Sequence, residues 1–364
     1  MMRLSVVVPY HSNQSLLDAC ISTLVETVRD DVEIILVKNN ANEAEIAVPT
    51  KPNRVKNIII PRNLGYSKAV NIGVEKCDGE LVVLADADTF FKPGWLEALT
   101  KFHVENNMDG LSASQLISPS SGRVTDYGMA LTKLNNTHPF KDRPVGHPLV
   151  SRARRVQMAC SACMMIRRDV FEEVGGMDPE LHNFYQDTDL CLRLKERGHP
   201  VWVVANSLVY HQGDSAKSMR APYRADVKAV YGAKNWHRMS VDMDGYFREA
   251  VEFARSIGID LAPPRRLIDL SSVGDHAWHQ ELFQSIFKLS GIMEFFSACR
   301  DAEDISLLNE LDAHLRTHRE PLIYFVDRYP AVRKNAFWIE ARRGRGDLVI
   351  DRNANIMALE QVND

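Results

Sequence analysis

Between Leu4 and Leu84, short Val- and Ile-rich runs alternate with stretches of helical periodicity, and this alternation constrains the fold more than any other feature. Leu4–Val8, Glu33–Val37, Asn57–Ile60 and Leu81–Leu84 read as buried strands. Leu16–Val28 and Ser67–Cys77 read as helices, the second stopped by the turn Asp78-Gly79. A β-α-β-α-β order of this kind predicts an α/β sheet with helices on its faces. Ligands of such sheets sit beyond the carboxyl ends of the strands, so the loops after Val8, Val37 and Leu84 are expected to meet at one site. Further along, Val156–Ile166 is strand-like and Arg168–Val174 helix-like, and Gly175-Gly176 is a break. Thr188–Arg197 is helical, while Val201–Val204 and Leu208–Tyr210 are two strands.

The fourth apolar run leads straight into Asp86-Ala87-Asp88-Thr89. Alternate residues of an extended segment point the same way, so both carboxylates can approach one centre. Bare, they repel each other and are costly to bury. A divalent cation removes both penalties, and hard oxygen ligands suit Mg²⁺ or Mn²⁺ bridging to substrate phosphates. A solvated turn with an Asp capping the next helix is the plainer alternative.

Composition narrows the remaining classes. At 364 residues the chain can hold two domains, and 45% hydrophobic with 25% charged residues supports a full core. A net charge of -4 lacks the basic excess of a nucleic-acid surface. Cys160 and Cys163 form a lone C-x-x-C without the second ligand pair of a structural zinc site, and the scattered cysteines fit a reducing compartment. The apolar start is too short for a signal peptide and Pro9 ends it, and no stretch reaches the length of a membrane span. The expectation is a cytoplasmic protein, with peripheral attachment at the inner face of a membrane left open.

Taken in order, the motifs resemble the family 2 glycosyltransferases, which have the GT-A fold. The resemblance covers about residues 3 to 215. It runs from Ser5-Val6-Val7-Val8-Pro9-Tyr10 through Arg62-Asn63-Leu64-Gly65-Tyr66-Ser67, with Asn71 and Gly73, to Asp86-Ala87-Asp88-Thr89. It continues with Pro93-Gly94-Trp95-Leu96, the segment Met164 to Phe171, and Gly175-Gly176-Met177-Asp178. It closes with Gln186-Asp187-Thr188-Asp189 and His211-Gln212-Gly213-Asp214-Ser215. Each piece is weak alone; the ordered set is specific.

The resemblance implies an inverting transfer of a sugar from a nucleotide-diphosphate sugar to an acceptor hydroxyl, with Mn²⁺ or Mg²⁺. It makes Asp88 a metal ligand, Asp86 a contact to the metal or to the donor's ribose and phosphates, and His211 a third ligand. Pro9, Tyr10, Lys38, Asn39, Asn63, Gly65 and Ser67 are expected around the donor. Asp187 is expected to be the catalytic base, and Gly176, Met177, Asp178 and Gln186 to lie near the acceptor. Asp189 reads as a helix cap, and turn chemistry is the plainer account of Asn63 and Gly65. Lys217 and Arg220 could neutralise phosphate charge.

Three departures stand out. Lys38 occupies the place where the family usually has a base-contacting Asp, and an ammonium cannot accept a hydrogen bond. Gln186 replaces a Glu, which lowers like-charge repulsion on Asp187. Pro179 replaces another Glu. A sugar nucleotidyltransferase would want a Gly-rich basic loop after the first strand, and a dehydrogenase a G-x-G-x-x-G; Pro9-Tyr10-His11-Ser12-Asn13 is neither. A catalytically decayed sugar- or nucleotide-binding scaffold is the remaining rival, resting on Lys38 and Gln186.

The domain reading is a catalytic domain over 1–240 and a mainly helical extension over 241–364. Pro263-Pro264 marks a turn there, and Glu281–Cys299 and Ile305–Leu315 carry helical periodicity. The extension is a candidate for pairing subunits or holding a partner enzyme. His276, Trp278, His279 and Glu281 cluster in it, and Arg342-Arg343-Gly344-Arg345 is a basic run near a polar end.

Overall fold

The computed structural model describes residues 2–40, 55–132, 136–213, 224–259, 261, 266–271, 276–287, 294–295, 318–327 and 342–362. The chain divides into two compact units: 1–129 with 141–240, and 130–140 with 241–364.

The first unit opens with β1 (Leu4–Tyr10), α1 (Gln14–Thr27), β2 (Glu33–Lys38), β3 (Val55–Ile59), α2 (Tyr66–Glu75) and β4 (Leu81–Ala85). It continues with β5 (Thr89–Phe91), α3 (Trp95–Glu105), β6 (Leu111–Ile117) and β7 (Val124–Asp126). After the short strands β8 (Ala130–Leu131) and β9 (Asn136–Thr137), which belong to the second unit, come β10 (Arg154–Val156), β11 (Cys163–Arg167) and α4 (Arg168–Glu173). The unit ends with α5 (Gln186–Glu196), β12 (Val201–His211) and α6 (Arg224–Asn235).

The strands form one sheet in the order β10-β12-β6-β11-β4-β1-β2-β3, with β5 on β12 and β7 on β6. β1 pairs in parallel with β2 and β4, β2 with β3, and β6 with β12, while β11 lies antiparallel between β4 and β6. This is the mixed, mostly parallel sheet flanked by helices that the GT-A resemblance predicts. β1 and β4 are buried at every position, as strands covered on both faces must be. Leu17, Cys20, Ile21 and Leu24 of α1 and Trp95, Leu96 and Leu99 of α3 fill the core cluster with them.

Two strand readings need correction. Val156–Ile166 is not one strand: β10 and β11 flank a loop at 157–162. Val201–Val204 and Leu208–Tyr210 belong to a single strand, β12, whose register shifts between Val204 and Leu208. Ser207 in that irregularity donates its hydroxyl to the Trp95 carbonyl, so a polar residue inside the strand is satisfied without a turn.

In the second unit, α7 (Met243–Ser256) and α8 (His276–Phe287) accompany β13 (Arg266–Asp269), β14 (Glu294–Phe295), β15 (Leu322–Val326), β16 (Leu348–Asp351) and β17 (Ile356–Ala358). These strands form a sheet in the order β14-β13-β15-β16-β17, parallel except for β17. The expectation of a mainly helical extension is therefore corrected: the described part of 241–364 is α/β, built on a small parallel sheet. Pro263-Pro264, Ile305–Leu315 and Cys299 lie outside the described residues. No helix among the described residues is long and apolar enough to cross a membrane.

Candidate functional site

β11 runs against β4, so its first residue, Cys163, sits across from Ala85, where β4 ends. The loop before β11 thus arrives at the carboxyl edge of the parallel strands. The Ala162 carbonyl accepts from the Asp86 N–H at 3.0 Å, and the Asp86 carbonyl accepts from the Thr89 N–H and hydroxyl. These bonds fix the Asp86–Thr89 turn. β5 then pairs with the end of β12, placing Thr89 opposite His211, and the Gln212 N–H donates to the Asp88 carbonyl at 3.0 Å.

One ligand atom from each of Asp86, Asp88 and His211 lies within 4.8 Å of the others. His211 Nε2 is 3.3 Å from Asp88 Oδ1 and 3.8 Å from Asp86 Oδ2. Burial disfavours the imidazolium, but Asp88 and then Asp86 outweigh it and raise the His211 pKa above its ordinary value. A divalent cation among these side chains would do electrostatically what that proton does. Two carboxylates and an imidazole are a donor set that Mn²⁺ and Mg²⁺ accept, so the residues fit such an ion. The downstream Asp214 and Ser215, with Lys217 and Arg220, lie outside the described residues.

Asp187 stands in the first turn of α5, where Tyr185 adopts a left-handed conformation at φ 59° and starts the helix. The Tyr185 ring stacks on Tyr231 of α6, centroids 4.6 Å apart, which holds that turn. Asp187 Oδ1 accepts from the Thr188 N–H at 2.8 Å and Oδ2 from the Ser161 N–H at 3.3 Å. Burial raises its pKa despite these two backbone donors. Asp189, buried in the same first turn, is not a cap: it forms an ion pair with Arg193 and accepts from Asn235 Nδ2.

A cavity of about 670 Å³ opens beside these carboxylates. Pro9, Tyr10, Asn39, Asn63 and Gly65 line one side, together with His11. Glu180, His182, Asn183, Phe184 and Val227 line the other. The metal cluster and Asp187 are not on its wall; Tyr66 lines the cavity and also lies near Asp86 and Asp187.

Several expected contacts are taken up by the fold. Asn39 donates to Asn63 Oδ1 and the Gly65 carbonyl and accepts from the Leu64 N–H, so its carboxamide ties the turn together. Gly65 has φ +87°, and an added Cβ there would lie 2.4 Å from the His182 ring, so the close approach it permits is that of His182. Ser67 is fully buried and donates to the Leu181 carbonyl at 2.6 Å, away from the cavity wall. Lys38 sits at the end of β2, between Tyr10 and Ile59 in the ladder.

The residues expected near the acceptor also have partners within the fold. Asn71 grips the Met177 backbone through both its N–H and its carbonyl, each at 2.8 Å, and the Met177 side chain is fully buried. Gly176, at φ +68°, leaves room for that carboxamide. Asp178 is bound by Lys234 at 2.6 Å; burial raises its pKa, but this ion pair wins and lowers it. Gln186 is buried, its Oε1 without a hydrogen bond. His11, just after β1, also faces the cavity, as do Glu180, His182, Asn183 and Phe184, whose one legible signal is polar and aromatic side chains crowded into a loop without periodicity.

Residues 5–175 match the family model described as Glycosyl transferase family 2. The O-antigen biosynthesis protein RfbC of Myxococcus xanthus is 26% identical over 243 residues, 64% of this chain but only 19% of that protein. The uncharacterized glycosyltransferase YwdF of Bacillus subtilis is 26% identical over 62% of this chain and 81% of its own length. The dTDP-rhamnosyl transferase RfbF of Shigella flexneri is 25% identical over 64% of this chain and 77% of its own. With the ordered motifs, the GT-A type sheet and the Asp-Asp-His cluster at its carboxyl edge, the match makes residues 5–175 of this chain similar to glycosyl transferase family 2.

Proposed function

We propose that the chain transfers a sugar from a nucleotide-diphosphate sugar to an acceptor hydroxyl, inverting the anomeric carbon. The observation that carries this reading is the grouping of Asp86, Asp88 and His211 together with a separate, half-buried Asp187. The first three would hold Mn²⁺ or Mg²⁺, and a bound ion would neutralise the departing diphosphate. Asp187 takes the proton from the acceptor hydroxyl as it attacks from the face opposite the diphosphate. The Ser161 and Thr188 N–H groups hold the Asp187 carboxylate in place for that task.

A cavity of about 670 Å³ has the size of a nucleotide-sugar site. Pro9, Tyr10 and His11 face the nucleotide, and the 180–184 loop faces the sugar or acceptor. The names of the relatives, O-antigen biosynthesis and dTDP-rhamnosyl transfer among them, support a nucleotide-sugar donor and a glycan acceptor.

The test is calorimetry against a panel of nucleotide sugars with Mn²⁺, Mg²⁺ or chelator, alongside release of nucleotide diphosphate. One donor should bind only with metal, and Asp88→Ala should weaken that binding more than about tenfold. Folded protein that binds no donor with either metal would falsify the reading.

A further inference from the structure

Tyr66 is the first residue of α2 and lines the cavity. Its hydroxyl is buried and closes no hydrogen bond of good geometry. Asp86 and Ser161 border it, and Asp187 is within electrostatic range. The ring is held at its root: the Tyr66 N–H donates to the His182 carbonyl at 2.7 Å, and the preceding Gly65 packs under the His182 ring. A buried hydroxyl without a well-aligned partner is costly. The bland account is a core aromatic that happens to bury its oxygen. Its place on a cavity wall, between the cluster fitted for a cation and the carboxylate fitted as a base, argues for a ligand that completes it.

The chemistry of the surroundings selects that ligand. A phenol donates one hydrogen bond, and its acidic neighbours accept. A sugar hydroxyl does both: it can accept from the phenol while donating to a carboxylate. A phosphate only accepts, and it would meet Asp86 and Asp187 as like charges.

We propose that Tyr66 is a sugar-contacting residue, whose hydroxyl donates a hydrogen bond to a hydroxyl of the transferred sugar and so orients the anomeric carbon between the Asp86 cluster and Asp187. The proposal rests on the glycosyl-transfer reading above. It separates the site into a nucleotide side at Pro9, Tyr10 and His11, and a sugar side that begins at Tyr66.

Tyr66→Phe removes the oxygen alone, and a thermal melt verifies that the variant folds. The experiment compares binding of nucleotide diphosphate without sugar, binding of the intact donor, and turnover, all with Mn²⁺. The sugar-free diphosphate should bind the variant and the wild type within about twofold, while kcat/KM for transfer falls about 10- to 100-fold, a loss of about 1.4 to 2.7 kcal/mol. Transfer by Tyr66→Phe at the wild-type rate overturns the contact. So does a parallel loss of diphosphate binding, which would mean that Tyr66 acts through Asp86 and not through the sugar. Wild-type protein that binds no nucleotide sugar overturns the transfer reading itself, and this contact with it.

Discussion

Asp187 is pulled in two directions. The Thr188 and Ser161 N–H groups favour its carboxylate, while burial favours its acid form and prevails. A base must be ionised to accept a proton, so the rate falls as the pH drops through this raised pKa. The acid limb of kcat/KM against pH should therefore lie above 3.8, the ordinary value for Asp. Asp187→Asn should lower turnover by about 10² to 10⁴-fold, leave metal-dependent donor binding in place, and abolish that limb. An unchanged profile in the variant would remove Asp187 from the mechanism. At this scale the sequence is most legible where residue type and strand position coincide. Asp86, Asp88 and His211 stand at the ends of β4 and β12, and an acid or imidazole there has few structural uses. Asn39, Ser67 and Met177 are less legible for the opposite reason: carboxamides, hydroxyls and backbone groups next to a turn serve the turn as well as a ligand, and the sequence does not show their partners within the fold.

The elements that carry the site are held by tight backbone fits. Gly65 precedes α2 at φ +87° and ψ 165°, a region that costs a side chain about 1–3 kcal/mol, and its missing Cβ is where the His182 ring rests. Gly65→Ala should destabilise the protein by at least about that amount in chemical denaturation and displace His182, weakening donor binding as well. Stability and binding both at wild-type levels would show that the ring moves aside at no cost. The strands β1, β2 and β4 were readable because each is a short apolar run whose ladder bonds need no outside partner. The stretch 157–162 reads as strand because Val156, Met158 and Cys160 fall at alternate positions. In the structure the Ser161 N–H goes to Asp187 and the Ala162 carbonyl to Asp86, so its backbone bonds serve the site instead of a ladder. Periodicity cannot show such a diversion, since it reports which side chains are buried and not where N–H groups point.

At the scale of the whole molecule, the second unit shows where sequence reading runs out. The stretch that reads as helical, Glu281–Cys299, holds among the described residues only the end of α8 and then β14, and the strands are short, separated by long intervals and paired wholly non-locally. The basic run at Arg342 illustrates the loss. In sequence it is only a basic run near a polar end, yet Arg342 is fully buried, bound to Asp347 at 2.6 Å and 2.9 Å, and donates to the carbonyls of His318 and Glu320. Asp347 in turn accepts from the Tyr324 hydroxyl and the Leu322 N–H, so one ion pair joins the approach to β16 with β15. Removing one partner leaves the other charge buried, and Asp347→Ala should cost about 3–5 kcal/mol. Hydrogen exchange at 322–326 and 348–351 should report that loss as a lowered opening free energy of both strands. The double replacement Arg342→Met with Asp347→Leu removes both charges and should recover much of it, because the penalty lies in the stranded ion and not in the missing attraction. Protection of β15 and β16 unchanged in Asp347→Ala would mean that water or a shift of Arg342 relieves the charge, and that the sheet is held by its apolar faces alone.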